Sequence, residues 1–148
     1  MGGEIAGARQ ASFVDQQVST RKSQHMSLMV TLIAKDQNFN TRPLEEQITE
    51  PHNTLFGFET WRQEVWGHDV IRTIGCPLVY SLRETNVFAY DEQIAALRGE
   101  LQTILDHIDQ VATTTGMTVE SIEFRVKNAL ETARVAEQNK NDVGVALW

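Results

Sequence analysis

Residues 92–115 read EQIAALRGELQTILDHIDQVATTT. Ile94, Leu97, Leu101, Ile104, Leu105, Ile108, Val111 and Ala112 recur at three- and four-residue steps, the spacing of one buried helix face. Glu92, Arg98, Glu100, Gln102, Asp106 and Asp109 fill the other side. Asp91 stands where an N-cap belongs, and Gly116 is the natural stop. The pattern predicts one long helix from Glu92 to about Thr115.

Just beyond Gly116, Thr118 caps a second helix, with Glu120 in the first turn where the helix dipole favours negative charge. Ile122, Val126, Ala129, Ala133 and Ala136 line one side of it, and the alanines permit close approach to the first helix. A connection as short as Met117-Thr118 makes the pair a hairpin. Neither helix can bury its stripe without a further layer, so the rest of the chain must supply one.

The remaining segments favour strands. Residues 28–35 are apolar and β-branched. Residues 54–60, TLFGFET, form a second strand with Phe56 and Phe58 on one face. Thr60 and Gln63 fit a capping box for a helical turn closed by Gly67, but the strand formers Trp61, Val65 and Trp66 favour an extension of the strand to Trp66. Val87–Tyr90 is a short third strand. Val143, Val145 and Leu147 alternate with Gly144 and Ala146 in a fourth, which suits the middle of a sheet crowded by a helix. Trp148 then reaches the opposite face. Pro43 opens a short helix ended by Pro51, His68–Ile74 is helical, and Pro77 opens another turn toward Glu84. The fold class is α+β, a small sheet of about four strands with a long helical hairpin packed on one face.

The chain has 148 residues, 41% of them hydrophobic and 22% charged, which suits one globular domain with a real core. We place that domain at residues 26–148. Residues 1–25, rich in Gly, Ala, Ser and Gln, have no apolar periodicity and read as a disordered leader. Three origins fit: an expression leader, an upstream start, or a docking tail that orders on a partner. Ala6 stands where a myristoylation signal needs Ser or Thr.

The formal net charge is −7. Without clustered Lys and Arg there is no footprint for phosphate, so nucleic acid is not an expected partner. No apolar run approaches the length of a membrane span. A single cysteine, Cys76, cannot form an internal disulfide, and a cytoplasmic location is expected.

Catalytic signatures are weak. His-Glu-x-x-His, Cys-x-x-Cys, calcium-loop, phosphate-loop and nucleophile-elbow patterns are missing from the sequence. Glu64 and His68 have a metal-ligand spacing, but Gly67 interrupts it. Neither a metal nor a cofactor is expected. The enzyme alternative is a small hydrolase or thiol-dependent enzyme using Cys76 or His68, and it requires one of them in a cleft beside a carboxylate. The expected function is instead non-catalytic: a small acidic binding protein, immunity-like or an assembly component. Its partner is another protein, with a basic one suiting its charge and a homodimer compatible with it. Trp61, Trp66 and Trp148 read first as core or sheet-edge residues; the alternative is that one or two of them anchor an interface, where Trp is enriched, with Trp61 and Trp66 the candidates. Glu100, Asp106 and Asp109 read first as a solvated helix face, and in the sharper alternative as the candidate acidic contacts.

Overall fold

The computed structural model describes residues 27–148. The expectation for residues 1–25 therefore lies outside the described residues. In chain order the elements are β1 (Ser27–Ala34), α1 (Arg42–Glu45), β2 (Leu55–Phe58), α2 (Trp61–Glu64), α3 (Asp69–Thr73), α4 (Pro77–Tyr80), β3 (Val87–Ala89), α5 (Glu92–Asp106), α6 (Ile108–Thr115), α7 (Val119–Gln138) and β4 (Val143–Leu147). A 3-10 turn, Ser81–Arg83, follows α4.

The four strands form one antiparallel sheet in the order β2-β1-β4-β3. The α+β class and the strand number agree with the sequence. Leu28, Val30 and Leu32 of β1 and Val143, Val145 and Leu147 of β4 face the helices and are buried. The helical layer is α5 and α7, which pack on each other and on this face. Ala129, Ala133 and Ala136 of α7 are fully buried, so small residues do bring α7 close to its neighbours. Arg98 of α5 and Glu137 of α7 form an ion pair across the hairpin.

All of β4 is buried, although its outer-facing residues are only Gly144 and Ala146. Gly144 explains how. A Cβ built there would lie 2.4 Å from the Ala89 carbonyl oxygen and 2.6 Å from Cδ1 of the Tyr90 ring. The Tyr90 ring therefore occupies the space a side chain would take. Trp148 follows on the same face, opposite Met29, with which it exchanges two backbone hydrogen bonds. Its indole N–H donates to Thr31 Oγ1 at 2.9 Å, so the ring leans across β1.

Four expectations are corrected. The long helix breaks at His107, which ends α5 and begins α6. A straight helix of this length would run about 36 Å, against about 26 Å for the longest strand, and the break keeps Val111 and Ala112 on the core. Asp91 stands at the N-cap but its side chain makes no capping bond; its carboxylate pairs instead with Lys35, just past β1, at 2.5 Å. Residues 61–66 do not extend β2. They turn into α2, which places Trp61 and Trp66 in the core beside Phe56. A continued strand would have sent the two indoles to opposite faces.

Phe56 and Phe58 do not share a face. Between Leu55 and Phe58 β2 takes three steps while β1 takes two, from Met29 to Ser27. The extra residue is a bulge at Gly57, whose φ is +105°. Phe56 points into the core and stacks on Trp66 at 4.5 Å between centroids, whereas Phe58 is 51% exposed.

The outward space over Gly144 yields a stability prediction. Gly144→Ala should lower unfolding stability by about 1–3 kcal/mol, the usual cost of overpacking, because its nearest neighbour is backbone. Urea denaturation measures this. An unchanged midpoint would show that Tyr90 does not rest on β4.

Candidate functional site

The residues singled out from the sequence are not assembled in one place. Trp61 and Trp66 are 3% and 0% exposed. Their rings meet edge to face at 5.4 Å, and the Trp66 indole N–H donates to the Phe56 carbonyl at 2.9 Å. They are core residues, and the expectation that they anchor a partner at the surface is corrected. Burial of the large aromatic area outweighed the interface tendency of the residue type.

Glu100 is likewise not a member of a solvated acidic face. It is 8% exposed, and its carboxylate accepts the Leu78 and Val79 amide N–H groups at 3.0 and 2.9 Å. These are the first free amides of α4, where Pro77 supplies no N–H and Cys76 offers no side-chain cap. Glu100 thus caps a neighbouring helix from α5. Burial pushes its pKa above the ordinary value of 4.5, and the two amide bonds partly offset that. Asp106 and Asp109 are exposed as expected; Asp106 accepts the Gln102 side-chain N–H.

Cys76 and His68 each have structural partners. Cys76 is fully buried, with Sγ 3.4 Å from the Glu100 carbonyl oxygen. Burial first, and the nearby Glu100 charge second, push its pKa up to about 12. A thiolate is therefore suppressed at neutral pH. His68 is the N-cap of α3: its Nδ1 accepts the Val70 N–H at 3.0 Å. Among the described residues neither side chain has a carboxylate within hydrogen-bond reach. The same residues hold no cluster of three or more His, Cys, Asp or Glu that could bind a metal ion. No helix among them is long and apolar enough to cross a membrane.

A cleft of about 360 Å³ opens between α1, the loop before β2 and α7, with Glu45, Ile48, His52 and Thr132 in its walls. Two of its polar side chains are already bonded. Thr132 Oγ1 donates to the Asn128 carbonyl and Glu45 accepts from Thr41. Beside it, Asn128 and Asn53 exchange hydrogen bonds that tie β2 to α7.

Two surface features stand out instead. The first is the outer sheet face. No described helix covers it, and it carries Leu55, Phe88 and Trp148 at 41%, 48% and 45% exposure. Register places them together: Leu55 opposes Met29, Met29 opposes Trp148, and Phe88 opposes Ala146. The second is a corner where β2 meets α7. There Arg125 has its guanidinium carbon 5.1, 5.5 and 5.6 Å from the ring centroids of Trp61, Phe58 and Phe124. Nη1 donates to Ser121 O and Oγ, but Nε is buried with no acceptor. Leaving such a donor unpaired costs about 1–3 kcal/mol.

Neither feature is marked by a motif in the sequence. For the sheet face no single residue type gives a signal, because exposure depends on which side the helices take. For Arg125 a signal exists. Lys127 and Arg134, the other bases of α7, pair with Glu123 and Glu131 on their own helix. Arg125 has Ser121, Ile122, Asn128 and Ala129 at the corresponding positions.

No family model, curated protein or solved structure matches the chain.

The Glu100 cap has a pH signature. Unfolded Glu100 ionises near 4.5 and the folded residue only at higher pH. Between these values the folded state holds more protons, so this residue's contribution to stability falls as pH rises. Glu100→Gln should remove that component, and melting curves of the two proteins should converge or diverge with pH only above 4.5. A difference that does not vary with pH would show that Glu100 titrates normally.

Proposed function

We propose that this protein is a non-catalytic binding domain that engages another protein through the outer face of its sheet. The observation that carries the reading is the group Leu55, Phe88 and Trp148, three large apolar side chains held at 41–48% exposure on the face that no described helix covers. Exposed apolar groups scattered singly need no explanation; aligned on one rigid face they favour contact with a partner. Phe88 and Trp148 add the aromatic character that interface cores favour. A binding surface on strands is also pre-organised, which limits the entropy lost on association.

The net charge of −7 favours a basic partner through long-range attraction. A cytosolic setting suits the free Cys76. An immunity-like inhibitor and an assembly component are the two roles that fit such a domain. Buried Cys76, with its raised pKa, argues against the thiol-enzyme alternative.

The test is affinity capture from the native host with chemical cross-linking, comparing the wild type with Phe88→Glu. The substitution is exposed, so the melting temperature should hold. A specifically retained protein should be lost from the variant, with a cost of about 2 kcal/mol or more if Phe88 is a central anchor. Equal retention by both proteins would reject the sheet face. Turnover of any ester or thioester that disappears in Cys76→Ala would reject the non-catalytic reading.

A further inference from the structure

Arg125 is a second candidate contact, independent of the outer sheet face. Its guanidinium sits among three aromatic rings, and among the described residues no carboxylate lies within salt-bridge distance. Aromatic rings attract the cation but accept none of its N–H groups in the plane, so those donors still need oxygen acceptors. One part of that edge is satisfied: Nη1 reaches Ser121 O and Oγ, both at 3.1 Å. The other part is not. Nε has neither water access nor an acceptor, and Nη2 has no hydrogen bond among the described residues. Nε and Nη2 are adjacent and parallel, the pair of donors that a planar carboxylate takes with its two oxygens.

Phe58 is the exposed wall of the site. It is 51% exposed at the end of β2 just past the bulge and meets Trp61 edge to face at 6.2 Å, so a ligand reaching the buried Nε would displace this ring from both Trp61 and the guanidinium. The neighbouring groups are apolar, so a ligand that places hydrocarbon beside its acid gains contact with Phe58 and Phe124. A lone cation with apolar walls suits one carboxylate better than a phosphate, which favours several clustered donors. Burial also depresses the guanidinium pKa, but an arginine stays charged at neutral pH.

We propose that the Phe58–Arg125–Phe124 corner is a carboxylate-binding site for an acid carried on an aromatic or aliphatic group. In a polypeptide ligand this is an Asp or Glu flanked by apolar side chains; in a small ligand it is an aromatic or branched acid.

The test is an NMR titration of the full chain at constant ionic strength, following the Arg125 Nε–H and Trp61 indole signals. The probes are benzoate, its neutral isostere benzamide, and the capped peptide acetyl-Phe-Glu-Phe-amide. Benzoate or the peptide should shift both signals saturably, and benzamide should not. Stronger binding by the peptide identifies a polypeptide ligand, and stronger binding by benzoate a small acid. Arg125→Lys, which keeps the charge but loses the fork, should weaken binding about tenfold or more, the factor that one charge-assisted hydrogen bond represents. Equal shifts from benzoate and benzamide, or linear shifts that never saturate, would overturn the proposal in the wild type alone. Undiminished binding by Arg125→Lys would overturn the bidentate geometry. None of these results depends on whether Phe88→Glu loses a partner.

Discussion

The sheet is completed by the last strand of the chain. β4 lies between β1 and β3, so the first and third strands are joined through a segment that arrives only after every helix has been placed. Two demands meet in five residues. Val143, Val145 and Leu147 must be large enough to fill the core beneath α7, and Gly144 must be small enough to let Tyr90 lie on the outside. The delivery is short: α7 ends at Gln138, and the Asp142 and Val143 amides both bond to the Asn139 carbonyl before β4 begins. A long-range pairing of this kind repays its loop-closure entropy only once the hairpin and β1 are already in position.

Much of this was legible because periodicity reports burial directly. The helical hairpin, the strand at residues 143–147 with its alternation of large and small residues, and the Thr118 cap all appear in the structure. The failures have a common cause, which is that a distant partner decided the outcome. Asp91 has the right chemistry for an N-cap, yet Lys35, 56 residues away, takes its carboxylate. Residues 61–66 have good strand formers, yet the core gains more from turning two indoles inward. The helix from Glu92 is periodic past His107, but the sheet it covers is shorter than the helix would be.

The candidate contacts show the same division. Residue type suggested Trp61, Trp66 and Glu100, and all three were drawn inside by partners that local spacing does not reveal: Phe56 for the indoles and the amides of α4 for the carboxylate. What remains outside was set by the bulge at Gly57, which turns Phe58 outward beside Arg125, and by the described helices lying on one side of the sheet. An acid missing from the helical neighbours of Arg125 was the one local clue. The exposed aromatic residues and the Arg125 Nε without an acceptor among the described residues are consequences of the packing, and the proposed binding roles follow from them.

Native-state hydrogen exchange tests the central role of β4 most directly. If the last strand completes the sheet, the amides of Val145 and Ala146 should exchange with the same opening free energy as those of β1 and the middle of α7, namely that of global unfolding. If β4 exchanges through a low-energy local opening while β1 and α7 stay protected, the sheet does not depend on it and this account of the fold is wrong.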